Sequence, residues 1–433
     1  MSGIVRRFGA AFCLAPIAPG AAWAASPGPA IDKADTLLLI FSSALVLFMT
    51  LPGLALFYGG LVRAKNFLSV LMHCFALAAL ASILWFVAGY SLAFRGAGPF
   101  IGDLSAVGLG GLEAVRSQLT MPENVFALYE MTFAIITPAL IVGAFPERVR
   151  FGWLMLFSGL WLMLVYVPVA HWLWDGGWLA ALGARDFAGG IVVHTTAGVS
   201  ALVVAIMIGP RKGFPHSMIP PHSPALTMVG AGMLWVGWFG FNGGSALVAD
   251  QSAGGAILAT HLAACAAALT WAAAEQLKIG KPTSIGVATG AIAGLATITP
   301  VAGYVSPAGA VAVGILGSLA CFATVLAVKH RFAVDDTLDV FAVHGIGGML
   351  GSLLLAPFMS AALGGVGLGP GQSIAGQLAV QAEAVAAVVV WSAAMTLIAA
   401  RAAALFLPMR VTAEQEHDGL DLSLHGERAY EFD

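Results

Sequence analysis

The chain has 433 residues, of which 59% are hydrophobic and only 9% are charged. Soluble globular proteins carry roughly 25% charged residues, so this composition excludes a soluble protein and indicates an integral membrane protein. Four cysteines exclude a disulfide scaffold, and a net charge of −3 gives no indication of nucleic-acid binding.

The N-terminus has the pattern of a secretory signal peptide. Arg6 and Arg7 come first, a short apolar segment interrupted by prolines follows, and the small-x-small sequence Ala22-Trp-Ala24 ends it. We therefore expect residues 1–25 to be removed from the mature chain. The adjacent arginines leave a twin-arginine export signal open as an alternative, although the residues around them fit that motif poorly.

Apolar segments of about 20 residues, long enough to cross the hydrocarbon core of a bilayer, follow from residue 31 to residue 408. The sequence therefore predicts an all-α integral membrane domain with eleven transmembrane helices, followed by a polar C-terminal tail over residues 409–433. The predicted spans lie near residues 34–57, 67–94, 124–145, 151–171, 187–208, 224–246, 253–274, 284–304, 307–328, 338–358 and 379–406.

Basic residues fall in alternate loops between the predicted spans, which indicates that those loops are cytoplasmic. With eleven spans, the N-terminus of the mature chain then lies outside the cytoplasm, and the tail lies inside. The basic residues of these loops are Arg63, Lys65, Arg148, Arg150, Arg211, Lys212, Lys278, Lys281, Lys329, Arg331 and Arg410.

Two histidines, His194 and His344, lie in the middle of apolar spans, and the residues around them match. Asp186 lies eight residues before the first histidine, and Asp336 lies eight residues before the second. Five predicted spans separate the two aspartates, so the two segments enter the membrane from opposite sides. This pattern predicts an inverted repeat of two five-helix halves, with the eleventh helix outside it. The halves cover about residues 34–208 and 224–358.

A histidine pair at matching positions of two repeats suggests that both side chains meet at one central site. Ionisable groups within a span usually mark a pathway for ions or protons, although a single histidine can equally form a packing hydrogen bond. Neutral imidazole has one donor and one acceptor, so His194 and His344 could share a hydrogen bond and pass a proton. His261 has no counterpart in the other half, and we interpret it as structural. Asp186 is interpreted as a helix cap that also favours a cation's approach.

Aromatic residues concentrate near a small hydroxyl in residues 238–245, and earlier spans contribute Tyr129, Phe133 and Trp174. An interfacial belt and ordinary packing are the alternative. Rings hold a small cation against their π faces, and a serine oxygen can accept one of its hydrogens. Such a cage suits a weakly hydrated cation that donates hydrogen bonds, whereas a bare alkali ion needs several oxygen ligands. The sequence contains no phosphate-binding glycine loop or Cys/His metal spacing, so neither an ATPase nor a redox enzyme is supported.

Seven short segments carry a resemblance to a known family: residues 132–141, 147–151, 186–194, 238–245, 335–345, 418–421 and 425–430. From about residue 31 to its end, the chain resembles the ammonium transporter (Amt/Mep/Rh) family, on its bacterial Amt branch. The resemblance implies a multi-pass homotrimer in the bacterial cytoplasmic membrane, with one pore per subunit and no cofactor or metal. It implies ammonium or ammonia as the substrate for nitrogen assimilation, and a PII-type regulatory protein as a partner on the cytoplasmic face.

The resemblance also implies an outer site that recruits ammonium. This site falls on Phe133, Trp174 and Ser245, with Asp186 behind it. Tyr129 keeps a ring for this cage and adds a hydroxyl group.

A pore is implied below that site. Stacked phenyl gates fall on Phe133 and Phe241, the twin-histidine relay falls on His194 and His344, and Trp238 lines the pore nearby. Family members are thought to strip a proton from ammonium near the gate and to pass ammonia and the proton inward separately. A hydrophobic pore favours that deprotonation because it destabilises the cation.

One departure lies just before the gate, where many members have Phe-Gln and this chain has Tyr129-Glu130. Glu130 is either ionised near the mouth or protonated and packed between helices. Two other functions stay open: an ammonium sensor that signals through its cytoplasmic tail, and an intramembrane enzyme or metal site on the histidine pair. The second lacks a third ligand candidate beside the pair, so we expect a transporter and no enzyme.

Overall fold

A computed structural model describes residues 30–216 and 220–430, so the predicted signal peptide lies outside the described residues. These residues form helices and loops with two isolated bridges and no β-strand, which confirms the predicted all-α class. The helices are α1 (Lys33–Leu61), α2 (Ala64–Phe94), α3 (Glu123–Ala144), α4 (Phe151–Ala181), α5 (Gly190–Ile208), α6 (Pro224–Gly244), α7 (Gln251–Ile279), α8 (Ser284–Ile298), α9 (Pro307–Arg331), α10 (Phe341–Phe358), α11 (Ile374–Ala404) and, in the tail, α12 (Ala413–Asp418).

Within the described residues, ten of these helices are long and apolar enough to cross a membrane, and α8 is apolar but shorter. The sequence predicts a span over residues 284–304, but the helix has only 15 residues and ends at Ile298. A helix of this length is roughly 22 Å long, compared with a hydrocarbon core of about 30 Å. Thr299 and Pro300 turn the chain directly after it. The count of eleven spans therefore stays a prediction.

Several helices begin at residues that satisfy their first N–H groups. Ser223 precedes α6, and its hydroxyl accepts a hydrogen bond from the N–H of Leu226. Ser306 precedes α9 and accepts from the N–H of Gly309. A proline follows each serine at the first helical position, where its missing N–H costs nothing. Polar and proline residues in the sequence thus mark these helix starts.

Helices α5 and α10 cross at two glycines, and this crossing positions the histidines. A Cβ atom added to Gly198 would lie only 2.2 Å from the Cα of Gly345, so the two backbones touch. Each helix also begins with a π-helical turn, over Gly190–Thr195 in α5 and Phe341–Gly345 in α10. Such turns often occur at functional sites. Each π-helical turn carries one histidine of the pair.

The tail folds back onto loops at one end of the helices. Glu416 of α12 accepts hydrogen bonds from the backbone N–H of Lys212 at 3.0 Å and from Arg410 at 2.8 Å. Asp421 accepts a hydrogen bond at 2.7 Å from the N–H of Ser69, in the first turns of α2. The tail therefore connects the loop between α5 and α6 with the start of α2.

Candidate functional site

A cavity of about 90 Å³ at one end of the helices, here called the aromatic vestibule, brings together three of the predicted site residues. Phe133 comes from α3, Trp174 from α4 and Ser245 from the end of α6. The complete lining is Phe94, Phe126, Glu130, Phe133, Trp174, Phe187, Ser245 and Leu247. Its walls are mostly aromatic, with one hydroxyl and one carboxyl group.

Hydrogen bonds fix the polar and aromatic groups of this vestibule. The indole N–H of Trp174 donates to the backbone carbonyl of Asp186 at 3.0 Å, and its ring meets the Phe133 ring edge-on at 5.7 Å. The Ser245 hydroxyl donates to the carbonyl of Phe241 at 2.8 Å. Because that hydroxyl uses its proton inside the protein, its oxygen remains an acceptor.

Tyr129 lies behind the vestibule and does not line it, which differs from its predicted place in the cage. Its side chain is 1% exposed. Its hydroxyl donates to the carbonyl of Phe241 at 2.8 Å and lies 3.1 Å from the Ser245 oxygen. Carbonyl groups at the end of α6 bind this hydroxyl. Tyr129 therefore supports Ser245 and the ring of Phe133, 5.0 Å away.

Two phenyl rings separate the vestibule from the space beneath it. The ring centroids of Phe133 and Phe241 lie 4.3 Å apart at an angle of 36°, and both side chains are buried. Phe133 lines the aromatic vestibule, and Phe241 lines a small central cavity. Any solute passing between the two must displace these rings.

The central cavity is narrow and almost entirely apolar. Its volume of about 10 Å³ is close to the lower limit for one water molecule. The Nδ1 atoms of His194 and His344 lie 3.2 Å apart, which brings the predicted pair into hydrogen-bonding distance. The Trp238 ring stacks 5.5 Å from that of His194. The lining residues are Met49, Leu54, Phe57, Ile136, Leu140, His194, Leu234, Trp238, Phe241, Ile292 and His344.

A third cavity, here called the ionic vestibule, opens beyond the histidines and has a volume of about 180 Å³. It shares Phe57, Ile292 and His344 with the central cavity, so the two adjoin. Its full lining is Phe57, Tyr58, Leu61, Arg211, Pro221, Ile285, Thr289, Ile292, Lys329, Thr337, Leu338, Asp339, Val343 and His344. Sequence reasoning assigned its charged residues only to loops; the signal available was the cluster of aspartates before His344.

Glu130 and His261, whose roles the sequence left in question, occupy different surroundings. Glu130 lines the aromatic vestibule, and its side chain is only 7% exposed; whether it is ionised stays a prediction. His261 lies on the exposed surface of α7, with its Nε2 atom 3.7 Å from the sulfur of Cys265. The structure therefore places Glu130 at the candidate site and His261 away from it.

An all-helical membrane protein with two vestibules joined through a narrow apolar cavity has the architecture of a transporter or channel for a small solute. The sequence profile of the Ammonium Transporter Family matches residues 37–430. The chain is 46% identical to an ammonium transporter of Bacillus subtilis, over 93% of this chain and 99% of that protein. It is 43% identical to an ammonium transporter of Aquifex aeolicus, over 92% and 94%. The chain belongs to the ammonium transporter family.

Solved structures agree in fold. The crystal structure of Mep2 from Saccharomyces cerevisiae superposes with a TM-score of 0.80 at 34% identity, covering 89% of this chain and 88% of Mep2. A structure described as a Sensor Amt Protein superposes with a TM-score of 0.84 at 30% identity, covering 90% and 98%. The fold is thus the Amt type, and one of its neighbours is named for sensing.

Proposed function

We propose that the protein conducts ammonium or ammonia across the bacterial cytoplasmic membrane, with the aromatic vestibule facing outward. The observation that carries this proposal is the order of the groups along the path. An aromatic vestibule, a closed ring pair, a cavity with two imidazoles and an ionic vestibule follow one another. Membership in the ammonium transporter family supports the choice of solute.

The aromatic vestibule provides the features of an ammonium site. The rings of Trp174 and Phe133 offer π faces, each worth roughly 0.5–2 kcal/mol to a cation. The Ser245 oxygen accepts one N–H of the ligand. Asp186 stands behind the cage and holds Trp174 through its carbonyl group. Potassium gains little here because it needs several oxygen ligands.

The ring pair and the central cavity favour ammonia over the ion. An apolar cavity of this size has no room for a hydration shell. Entry therefore costs a charged solute more free energy than a neutral one. One imidazole Nδ1 can donate to the other, since the atoms lie 3.2 Å apart. The His194–His344 pair then gives a proton a path that is separate from the apolar surface used by ammonia. Trp238 holds the ring of His194 in place by stacking.

The surrounding organisation follows from the same proposal. We infer a homotrimer with one pore per subunit, a cleaved signal peptide over residues 1–25, and a membrane domain over residues 31–408. The proposed cytoplasmic tail covers residues 409–433 and has a PII-type regulatory protein as its partner. Recovery of a PII protein with this transporter from ammonium-shocked cells supports that partner. Repeated failure to recover one that is expressed counts against it.

Sensing is the second candidate function. The Sensor Amt Protein shares this fold. The tail also contacts the loop that borders the ionic vestibule: Lys212 binds Glu416, and the neighbouring Arg211 lines that vestibule. Binding of a solute in the pore could therefore change the contacts of the tail.

Transport into liposomes that contain the purified protein tests the proposal. Ammonium-evoked current and internal pH are recorded together, because a neutral ammonia flux changes pH without current. We expect a saturable response to ammonium and a much smaller response to potassium. If neither signal exceeds that of protein-free liposomes, conduction is wrong. Sensing then remains if ammonium still changes the protease sensitivity of the tail.

A further inference from the structure

Glu130 is the one carboxyl group in the lining of the aromatic vestibule. It follows Phe126 by four residues and precedes Phe133 by three, so the three side chains share one face of α3. All three line the cavity. A helix face that otherwise presents phenyl rings thus presents a carboxyl group to the same space as Trp174 and Ser245.

One oxygen of this carboxyl group has no hydrogen-bond partner among the described residues. Its Oε2 atom is buried and, among the residues that the structure describes, receives no hydrogen bond. A buried polar atom without a partner costs roughly 1–3 kcal/mol and calls for an explanation, such as a bound ion. The side chain is more than nine-tenths buried and borders a cavity suited to a cation. A ligand that donates hydrogen bonds would supply the missing partner.

The charges nearby leave Glu130 without a dedicated counter-ion. Arg116 binds Glu123 at 3.0 Å and also binds Asp175, and Arg95 lies 3.5 Å from Glu123. Two guanidinium groups therefore serve two other carboxylates. When Glu130 is ionised, this group of two guanidinium and three carboxylate side chains has one negative charge in excess, and a monovalent cation in the vestibule would balance it.

Several other ionisable groups also face Glu130. Arg116 and Asp175, which bind each other, both interact with it electrostatically, and Tyr129 and Tyr166 add buried hydroxyl groups. The Tyr166 hydroxyl likewise has no hydrogen-bond partner in the described ranges. The guanidinium of Arg116 lies 4.6 Å from the centroid of the Phe126 ring. Its positive charge is therefore held outside the cavity, while the carboxyl group borders it.

We propose that Glu130 is a binding residue of the ammonium site: its carboxylate accepts a hydrogen bond from ammonium in the aromatic vestibule and makes cation affinity depend on pH. This inference rests on the proposed transport of ammonium. Ammonium suits the position because it donates four hydrogen bonds, of which Ser245 takes one and Glu130 takes another. As pH falls, protonation of Glu130 removes the charge, and affinity falls with it.

The test compares Glu130→Gln with wild type in the liposome assay, between about pH 5 and pH 8. A hydrogen bond to a charged acceptor is worth enough that its loss should raise the half-saturating ammonium concentration roughly tenfold at pH 8. Wild-type half-saturation should rise as pH falls, whereas that of Glu130→Gln should stay flat. Glu130→Asp keeps the charge and should keep the pH dependence.

The matched control is Glu113→Gln, which removes an exposed negative charge from the loop before α3 without touching the cavity. An equal change in this variant would show a general surface effect and would overturn the proposal. Identical half-saturation of Glu130→Gln and wild type at every pH would overturn it as well. If wild type itself gives no ammonium response, conduction fails instead, so the two failures are distinguishable.

A second measurement needs no variant and covers the case in which Glu130→Gln does not assemble. Infrared difference spectra of the wild-type protein are recorded at low pH while ammonium is added. Binding should remove the carbonyl band of a protonated carboxyl group, because the ligand favours the ionised form. An unchanged band at saturating ammonium would exclude Glu130 as the acceptor.

Discussion

The two helices that carry the paired histidines begin differently, although each histidine follows an aspartate by eight residues. At α5, both oxygens of the Asp186 carboxylate accept hydrogen bonds of 2.7–3.0 Å from four N–H groups. These groups belong to Gly189, Gly190, Ile191 and Val192. At α10, Asp336 Oδ2 accepts one such bond, from Phe341 at 2.7 Å. Its Oδ1 atom has no partner in the part of the chain described.

The surroundings explain this difference between the two ends. The Asp186 carboxylate is stabilised by four backbone N–H groups. Asp336 lies in a turn with other carboxylates, in which Asp339 pairs with Lys329 at 2.7 Å. Burial, aided by the nearby Asp339, raises the pKa of Asp336 to about 7. The same aspartate–histidine spacing thus occurs in both halves. At the aromatic end the aspartate is bound by four N–H groups, and at the ionic end it has a pKa near neutral pH.

The largest expected effect concerns the histidine pair, to which the two halves should contribute equally. Both His194→Ala and His344→Ala should lower conduction roughly tenfold or more, because either change removes one member of the imidazole pair in the central cavity. The control is His261→Ala, which alters an exposed residue and should change conduction little. Liposome currents at matched protein levels decide. Equal loss in all three variants would contradict the pairing.

The next prediction separates the two aspartates by stability. Asn presents one carbonyl oxygen, so Asp186→Asn leaves about half of the four N–H groups without an acceptor and should cost about 2 kcal/mol or more. The folded state keeps the Asp336 proton that the unfolded chain loses above about pH 4, so its contribution to stability decreases as pH rises toward 7. Asp336→Asn removes that titration and should be neutral or stabilising at pH 7. Thermal unfolding of both purified variants measures this. Equal destabilisation by Asp186→Asn and Asp336→Asn would contradict the different roles of the two aspartates.

Sequence reasoning predicted the shared parts of the two halves better than their differences. Matching aspartates and histidines indicated a central pair, and the rings before Ser245 indicated a cage, because these patterns need only residue type and spacing. The π-helical turns around His194 and His344 left no such signal, since an extra residue in a turn hardly changes a uniformly apolar pattern. Tyr129 lies behind the cage, where its hydroxyl binds carbonyl groups of α6, a helix about 110 residues later in the sequence, and spacing alone could not predict that contact.

A smaller effect concerns the selectivity for ammonium over potassium, which we expect to depend on the aromatic end and not on the ionic end. Trp174→Leu removes a π face worth roughly 0.5–2 kcal/mol and should weaken discrimination between ammonium and potassium by about 2- to 30-fold. Trp235→Leu is the matched control, because Trp235 is a half-buried tryptophan outside the three cavities described. Currents with each cation give the ratio. Unchanged selectivity in Trp174→Leu would show that Trp174 is an interfacial residue and not part of the cation site.

The smallest effect concerns the tail at the ionic end. Burial alone would raise the pKa of the Glu416 carboxyl, but hydrogen bonds from Arg410 and from the N–H of Lys212 outweigh it, and the net pKa is lowered. A lowered pKa means that Glu416 stabilises the docked tail above about pH 4 and that this contribution is lost as pH falls through the pKa of the folded state.

Glu416→Gln removes the charge of a partly exposed pair, so tail docking should weaken by less than about 1 kcal/mol at pH 7. Hydrogen exchange in residues 412–430 should then accelerate by less than about fivefold. The control Glu414→Gln alters an exposed carboxylate of the same helix and should leave exchange unchanged. If both variants accelerate exchange equally, general charge and not the Arg410–Glu416 contact holds the tail against the ionic end.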